Sequence, residues 1–232
     1  MTTTLVTGAN KGIGREVTRR LIAAGHDVYL GARDLNRGRQ AAQELGATFV
    51  RLDVTDDASV RAALSTIRAQ RGQLDVLVNN AGVPDNTADV ADISGDVARD
   101  VMDVNVAGVV RVTQAALGLL RDSTNPVVVN VSSGLGSFAA NTDPARPESS
   151  TPLVVYAASK AALAMLTLKY SQAVPEVKFN LACPGLTATD FAAGFPGAQP
   201  VEDAVGVIVR LASIGRDGPS GTVEENDGPL GW

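Results

Sequence analysis

Residues Thr7–Gly14 read TGANKGIG, and they follow the apolar run Thr3–Thr7 and open a segment whose apolar residues recur at helical spacing up to Leu21. That order predicts a strand, a glycine-rich turn and an amphipathic helix. The first turn of such a helix has unpaired N–H groups that attract phosphates. We therefore interpret this stretch as a nucleotide-binding turn in a parallel α/β fold. An ordinary βα turn is the alternative.

Three glycines give this turn its chemistry. Gly8 permits the tight turn, Gly12 lets the backbone come close to a pyrophosphate, and Gly14 allows close packing of the helix. We predict that these glycines line a cofactor site together with Asn10, Lys11 and Ile13.

Short β-branched and apolar runs alternate with longer helical stretches along the rest of the chain. This alternation is typical of a parallel sheet with helices on both faces, where the strands are apolar throughout. We therefore predict one α/β domain over residues 1–232, with a doubly wound, mostly parallel sheet. The predicted strands are Thr3–Thr7, Asp27–Gly31, Thr48–Leu52, Val76–Asn79, Val127–Val131 and Lys178–Ala182, with Gly221–Val223 as a candidate closing strand.

Helical spacing predicts the connections between these strands. One helix follows the glycine turn, and a second follows the capping candidates Thr55 to Asp57. Three more are expected over Asp96–Leu120, Val155–Ala173 and Val201–Ala212. Residues Ala139–Pro152 are rich in Pro, Ser, Asn and Asp, so we expect a long loop there, and long loops in compact domains are often functional.

The charge pattern narrows the class of partner. The chain of 232 residues has a net charge of -5 and no dense block of Lys or Arg, so we expect neither nucleic acid nor a membrane as a partner. The first residues show no signal peptide or membrane span, and a cytoplasmic location is the default expectation.

The chain has one cysteine and one histidine. Cys183 alone excludes an intramolecular disulfide and a thiolate zinc cluster, and we expect it to be a small buried side chain. His26 alone makes a Ser-His-Asp hydrolase or a multi-His metal site hard to build, so we expect no metal. The polar turn around His26 predicts a solvated loop residue.

Tyr156 and Lys160 stand four residues apart in a predicted helix and so share one face. The ordinary pKa of tyrosine, about 10, is too high for efficient acid–base catalysis at neutral pH. A nearby ammonium favours the phenolate and is expected to bring the pKa of Tyr156 towards the useful range. The spacing alone is weak evidence, because Tyr and Lys often line a solvated helix.

Six motifs together resemble the short-chain dehydrogenase/reductase family, whose members have a Rossmann fold and an NAD(P)-dependent catalytic site. They follow the family's order over nearly the whole chain. The motifs are TGxxxGxG from Thr7, NNAG from Asn79, Asn105, Val131-Ser132-Ser133, YxxxK from Tyr156 and Cys183-Pro184-Gly185. The opening TGANKGIG, the segment Ala32-Arg33-Asp34 and the terminal Trp232 further resemble carbonyl reductases.

The resemblance implies catalytic roles for the matching residues. Ser133 would hydrogen-bond the substrate carbonyl and Tyr156 would donate the proton. Lys160 would bind the nicotinamide ribose and tune Tyr156, and Asn105 would hold a proton-relay water. Ser132 is the competing serine, and a polar interruption of a helix is the plain alternative for Asn105.

The resemblance also extends the predicted cofactor site. Asp53 and its neighbour would hold the adenine ring, although an Asp that caps the next helix is equally consistent with the sequence. Thr187 stands where an aliphatic residue is commoner in the family. The further cofactor contacts implied are Asp53, Val54, Asn80, Ala81, Gly82, Pro184, Gly185, Thr187 and Thr189, besides Tyr156 and Lys160.

Charges after the second predicted strand favour NADPH over NADH. NAD-specific sites usually have an acidic residue there that hydrogen-bonds the adenosine ribose, but Ala32 holds that place and Arg33 follows it. Arg33 and Lys11 can meet a 2′-phosphate from two sides. Asp34 is the alternative, because a shifted strand end would aim it at the ribose.

These observations predict an oxidoreductase that reduces a small ketone, aldehyde or quinone with NADPH. The alternatives are oxidation of a secondary alcohol by NAD(P)+ and a non-catalytic protein that senses NADP. In the carbonyl reductases that the chain resembles, a larger insertion at the place of Ala139–Pro152 covers the helix faces through which other family members assemble, so the resemblance implies a monomer or a homodimer ahead of a tetramer. A mostly apolar substrate pocket is expected from Leu135, Phe138, Leu186, Phe191 and Phe195.

Overall fold

A sheet of eight strands organises the residues that the computed structural model describes, which are 1–85, 89–190 and 197–232. The strands are β1 (Thr3–Thr7), β2 (Asp27–Ala32), β3 (Thr48–Arg51), β4 (Val76–Asn79), β5 (Val127–Val131), β6 (Lys178–Ala182), β7 (Val223–Glu225) and β8 (Gly228–Pro229). Their order across the sheet is β3-β2-β1-β4-β5-β6-β7-β8, and each neighbouring pair is parallel except β7 with β8. The predicted mostly parallel α/β sheet is confirmed.

Helices connect the strands. They are α1 (Gly12–Ala23), α2 (Leu35–Leu45), α3 (Asp57–Arg71), α4 (Gly95–Met102), α5 (Gly108–Arg121), α6 (Phe138–Thr142), α7 (Val154–Ala173), α8 (Val201–Ala204) and α9 (Gly206–Ala212). A π-helical segment, Asp103–Ala107, joins α4 to α5, and 3-10 turns occupy Val90–Asp92, Gly134–Gly136 and Pro147–Ser150. Within the described ranges, no helix combines the length and the apolar content needed to span a bilayer.

Both faces of the sheet are buried. Leu5 lies in one apolar cluster with Ile67 of α3, whereas the next residue, Val6, lies in another with Val17 of α1 and Ile208 of α9. Successive side chains of a strand point to opposite faces, so a strand covered on both sides needs apolar residues at consecutive positions. This explains the continuous apolar runs of the sequence and the helices on either face.

The strand predictions hold closely at the centre of the sheet and less well at its edge. β1, β4, β5 and β6 have the predicted bounds. β2 runs one residue further, to Ala32, and β3 ends one residue earlier, at Arg51. The closing strand lies at Val223–Glu225, so the expected Gly221–Val223 was wrong by two residues. Gly221 has a left-handed φ of 77° and forms the turn before that strand.

The sequence reading did not include α2. Its buried face consists of Gly38, Ala41 and Ala42, which lack the large apolar side chains that mark an amphipathic helix. The ring of Phe49 packs so closely that a Cβ on Gly38 would lie 2.2 Å from it. The sequence signal for α2 was its N-cap residue, Asp34, whose side chain accepts hydrogen bonds from the first N–H groups of the helix.

Two predicted helices are interrupted, and the predicted loop contains helical turns. The π segment breaks Asp96–Leu120, and Val205 separates α8 from α9 within Val201–Ala212. In the segment expected to be a loop, Ala139–Pro152, the hydroxyl of Ser137 caps α6 by accepting from Ala140 N at 3.0 Å. A 3-10 turn follows from Pro147, whose fixed φ suits the start of a helical turn.

His26 is not the solvated loop residue that the sequence predicted. It lies half-buried just before β2, and its Nδ1 is 2.8 Å from the hydroxyl of Thr4 on β1. Burial lowers the pKa of His26. The pairing of Asp27 with Thr3 draws the turn against the sheet and places the imidazole beside β1.

Candidate active site

One cavity of about 790 Å³ is lined by the residues that follow the carboxyl ends of β1 to β6. Ligands of open parallel α/β sheets bind at this edge. All of the predicted catalytic and cofactor residues line the cavity except Asn105. The structure therefore brings together residues spread from Gly8 to Thr189 in the sequence.

The glycine turn packs against the loop after β4. Gly8 has a left-handed φ of 63°, and a Cβ there would lie 3.0 Å from Ala81 Cα. A Cβ on Gly14 would lie 2.5 Å from Asn80 Nδ2, which donates to the carbonyl of Thr7 at 2.9 Å. Both glycines are thus required by close approach between the two loops.

The start of α1 suits a pyrophosphate. Its N-cap, Lys11, makes no side-chain capping hydrogen bond, so the N–H groups of the first turn have no side-chain acceptor there. Gly12, Ile13 and Gly14 of that turn line the cavity. A helix N-terminus without a cap, reached through glycines, fits a dinucleotide phosphate.

Asp53 does not cap the helix that follows it. Its Oδ1 accepts from the backbone N and the hydroxyl of Thr55, at 3.0 and 2.7 Å, whereas Asp56 caps α3. Partial burial opposes ionisation of Asp53, but these hydrogen bonds and the charges of Arg33 and Arg51 lower its pKa overall. The side chain is an ionised acceptor at the edge of the cavity.

The residues after β2 place one positive charge, that of Arg33, at the cavity. Ala32 is buried, and Arg33 is exposed and lines the cavity. The carboxylate of Asp34 accepts from the backbone N of Asn36 and from both the backbone N and Nε of Arg37, at 2.9–3.0 Å. Asp34 is therefore committed to the start of α2.

Lys11 has a partner that the sequence reading did not name. Its Nζ donates to Asp190 Oδ2 at 2.7 Å, and both side chains are exposed. The hydrogen bond and charge of Lys11 lower the pKa of Asp190, and the charge of Arg37 adds to this. Arg37, in the first turn of α2, thus stands near the same edge of the cavity.

Tyr156 and Lys160 lie on one face of α7, as predicted. Lys160 Nζ is 5.4 Å from the centre of the Tyr156 ring and donates to the carbonyl of Val131, at the end of β5, at 2.9 Å. Only 5% of Lys160 is exposed, and burial lowers its pKa to about 8. At neutral pH most of this ammonium remains charged.

The expectation that Lys160 lowers the pKa of Tyr156 is not met in this structure. Burial raises the pKa of Tyr156 well above its ordinary value, and its hydrogen bond with Ser133 offsets only part of the rise. Desolvation disfavours the charged phenolate. Tyr156 is therefore held as a neutral phenol, which is the form that can donate a proton.

Ser132 and Ser133 both line the cavity but differ in their contacts. The Ser133 hydroxyl accepts from Leu135 N at 3.2 Å and hydrogen-bonds Tyr156. The Ser132 hydroxyl is buried and has no hydrogen-bond partner among the described residues. Ser133 is thus the serine that contacts the tyrosine.

Asn105 lies at the centre of the π-helical segment, where the predicted continuous helix is interrupted. Its side chain accepts from Val83 N and donates to Val83 O, both at 2.9 Å, and also donates to the Ser159 hydroxyl at 3.0 Å. Asn105 ties the loop after β4 to α7, behind the wall of the cavity.

Asp85 was missed by the sequence reading. It is 2% exposed, and its Oδ2 accepts from Val155 N, in the first turn of α7, at 2.8 Å. Leu153, the N-cap residue of α7, makes no capping hydrogen bond, so Asp85 performs this task from a distant loop. A side chain that caps a helix across 70 residues leaves no local sequence signal.

The loop after β6 crosses the glycine turn. Gly185 has a φ of 75°, and a Cβ on Gly12 would lie 3.2 Å from Thr189 Cγ2. Thr187 donates to the carbonyl of Gly185 at 3.0 Å, so its hydroxyl stabilises the loop itself. Gln199, which was not predicted, donates to Pro184 O at 2.7 Å and braces the loop from behind.

The expected apolar pocket is only partly formed by the residues proposed for it. Leu135 and Leu186 line the cavity, whereas Phe138 is 75% exposed and does not. Phe191 and Phe195 lie outside the described residues. Additional lining comes from the segment before α7, namely Pro147, Glu148, Thr151 and Leu153.

Comparison with known proteins agrees with this site. The profile of the short chain dehydrogenase family matches residues 2–199. Salutaridine reductase from Papaver bracteatum is 31% identical over 94% of this chain and 92% of its own length. (-)-Isopiperitenone reductase from Mentha piperita is 32% identical over 97% of this chain and 96% of its own length. The NADPH-bound carbonyl reductase from chicken fatty liver, at 25% identity, covers 100% of this chain and 99% of its own with a TM-score of 0.88. The chain belongs to the short-chain dehydrogenase/reductase family of oxidoreductases.

Proposed function

We propose that this protein is an NADPH-dependent reductase of ketone, aldehyde or quinone carbonyls, with Tyr156 as the proton donor. One observation carries the proposal: Ser133, Tyr156 and Lys160 line the same cavity as the uncapped glycine turn. The relatives described above are named as reductases, which supports reduction over oxidation.

Each catalytic side chain has one task in this proposal. The bound cofactor supplies the hydride for the carbonyl carbon. Ser133 donates a hydrogen bond to the carbonyl oxygen, and Tyr156 transfers its phenolic proton to that same oxygen, so that one C–H and one O–H bond form. Lys160 stabilises the phenolate that remains, because its buried ammonium lies beside the ring.

The supporting residues position this group. Asn105 holds the loop after β4 against α7, and we propose that it also supports the relay that returns a proton to Tyr156. Asp85 fixes the start of α7 through Val155. Both act at the helix that carries Tyr156 and Lys160.

The preference for NADPH rests on the charges after β2. Ala32 stands where NAD-specific sites usually have an acid, the following Arg33 lines the cavity, and Asp34 is occupied by the cap of α2. Lys11 supplies a second cation, although Asp190 offsets part of its charge. The NADPH bound in the chicken carbonyl reductase supports the same choice.

A turnover assay with a panel of ketones, aldehydes and quinones, run with NADPH and with NADH, tests this function. We expect reduction with NADPH at a clearly higher kcat/KM. Faster oxidation of secondary alcohols by NAD(P)+ would favour the reverse reaction as the function. Tight binding of NADPH without turnover of any carbonyl would indicate a cofactor-sensing protein instead.

We further propose that residues 1–232 act as one catalytic domain on a small molecule, in the cytoplasm and as a monomer or homodimer. Light scattering at micromolar concentration tests the oligomeric state. A stable tetramer would contradict it.

A further inference from the structure

The segment before α7 brings a carboxylate to the substrate end of the cavity. Glu148, in the 3-10 turn Pro147–Ser150, lines the cavity together with Ser133 and Tyr156. A Cβ on Gly134, the residue after Ser133, would lie only 2.1 Å from Glu148 Oε1. The carboxylate is therefore close to the serine that is proposed to bind the carbonyl.

An ion-pair network holds this carboxylate in place. Arg146 donates to both oxygens of Glu148, each at 3.1 Å, and to both oxygens of Glu225, at 2.7 and 3.2 Å. The Glu148 side chain is 13% exposed. Glu225 lies beyond the wall and does not line the cavity.

Two carboxylates share one guanidinium in this network, and of the two only Glu148 lines the cavity. Of the other charged residues known to line it, Lys11, Arg33, Asp53 and Asp190 surround the nucleotide end, and Lys160 lies under Tyr156. Glu148 is therefore the only carboxylate among the described residues that line the substrate end, where it stands with the ammonium of Lys160.

We infer that Glu148 is a specificity-determining residue that selects neutral or ammonium-bearing carbonyl compounds and rejects those with a carboxylate near the carbonyl. The inference rests on the proposed carbonyl reduction. In a partly buried cavity a fixed carboxylate repels a like charge more strongly than it would in water. Such a repulsive element is a common source of specificity.

Three benzaldehydes that differ in the para substituent test the inference. They are methyl 4-formylbenzoate, which is neutral, 4-carboxybenzaldehyde, which is an anion, and 4-(trimethylammonio)benzaldehyde, which is a cation. We would measure kcat/KM of wild type and of Glu148→Gln for each aldehyde and compare the ratio of variant to wild type. The intrinsic reactivity of each aldehyde cancels in this ratio.

Glu148→Gln is expected to raise kcat/KM for the anion about tenfold and to lower it for the cation by a similar factor, with the ester changed by no more than about twofold. Glu225→Gln is the matched control, because it removes the same charge from the same network outside the cavity. It should change the preference among the three aldehydes by less than about threefold.

Similar variant-to-wild-type ratios for the three aldehydes in Glu148→Gln would overturn the inference, and so would an equal effect of Glu225→Gln. If wild type does not reduce the aldehyde group of methyl 4-formylbenzoate, the proposed function itself is refuted. If Glu148→Gln does not fold, a second experiment replaces it. In that experiment 4-methylbenzamide and 4-methylbenzoate are compared as inhibitors of the reduction of methyl 4-formylbenzoate by wild type. The anion must then inhibit about tenfold more weakly than the amide, and equal inhibition would overturn the inference.

Discussion

The two ends of the cavity are built in different ways. At the nucleotide end, backbone and glycines form the surface, and the charged side chains of Lys11, Arg33 and Asp190 are exposed to solvent. At the substrate end, Lys160 and Glu148 are largely buried; Lys160 is held by the carbonyl of Val131, and Glu148 by Arg146, which also binds Glu225. One end binds through backbone and screened charge, and the other works through buried charge.

This difference sets the size of the effects that substitutions should have. Exposed charges are screened by water and salt, so their loss is modest. Buried groups exchange water for fixed partners, which shifts their pKa values and makes their loss costly. The opposite pKa shifts of Tyr156 and Lys160 show this, because burial raises one and lowers the other towards the neutral form of each.

The largest effect on activity is expected for Tyr156→Phe at the substrate end. Loss of the hydroxyl should lower kcat about a hundredfold to ten-thousandfold and leave NADPH affinity within about threefold, since the ring is kept. Steady-state kinetics and cofactor titration measure the two quantities. Tyr170→Phe on the same helix is the control, because Tyr170 stacks on Phe179 and does not line the cavity. Activity of Tyr156→Phe above about a tenth of wild type would remove its role as proton donor.

Lys160→Met should change the dependence of stability on pH. The pKa of Lys160 falls from 10.5 to about 8 on folding, so the unfolded chain holds more protons between these values. The free energy of unfolding of wild type, relative to the variant, should therefore rise with pH across this window, by at most about 3 kcal/mol. Urea denaturation at several pH values measures the difference. A difference that does not vary with pH would mean that burial does not shift the pKa of this lysine.

At the nucleotide end, Lys11→Ala/Arg33→Ala should lower kcat/KM for NADPH about tenfold to a hundredfold, because charge-assisted hydrogen bonds to the 2′-phosphate are lost. The kcat/KM for NADH, which has no such phosphate, should change little. The double variant Arg39→Ala/Arg61→Ala removes two exposed cations away from the cavity and is the control for net charge. Two results would refute the assignment of Lys11 and Arg33 to the 2′-phosphate. One is a wild-type preference for NADH, and the other is an unchanged preference for NADPH over NADH in Lys11→Ala/Arg33→Ala.

The smallest effect is expected where a buried side chain has a purely positioning task. Asp85→Ala leaves Val155 N without its acceptor and should cost about 1–2 kcal/mol of stability. Asp85→Asn keeps an amide oxygen in the same place and should retain most of that stability. Chemical denaturation compares the two variants. Equal losses would show that the hydrogen bond to α7 is not what Asp85 contributes.

Local patterns predicted the residues of contiguous motifs that line the cavity, Tyr156 and Lys160 among them, but missed the charged side chains that act across the chain. β1, the glycine turn and NNAG are contiguous stretches whose conformation depends on glycine and on alternation of strand and helix. Asp85 and Asp190 act through partners that lie 70 and 179 residues away in the chain, and Arg146, which binds Glu148, also binds Glu225, 79 residues away; the spacing of a motif does not reveal such contacts. Within the fold, α2 was missed because small residues form its buried face.

The central claim is that this chain transfers hydride from NADPH to a carbonyl carbon. The direct test is to incubate the protein with NADPH that carries deuterium at the transferred position of nicotinamide C4, together with methyl 4-formylbenzoate, and to analyse the product by NMR and mass spectrometry. We predict the benzylic alcohol with one deuterium on the former carbonyl carbon and one molecule of NADPH consumed for each alcohol formed. NADPH that binds to the protein while no deuterated alcohol appears would contradict the account.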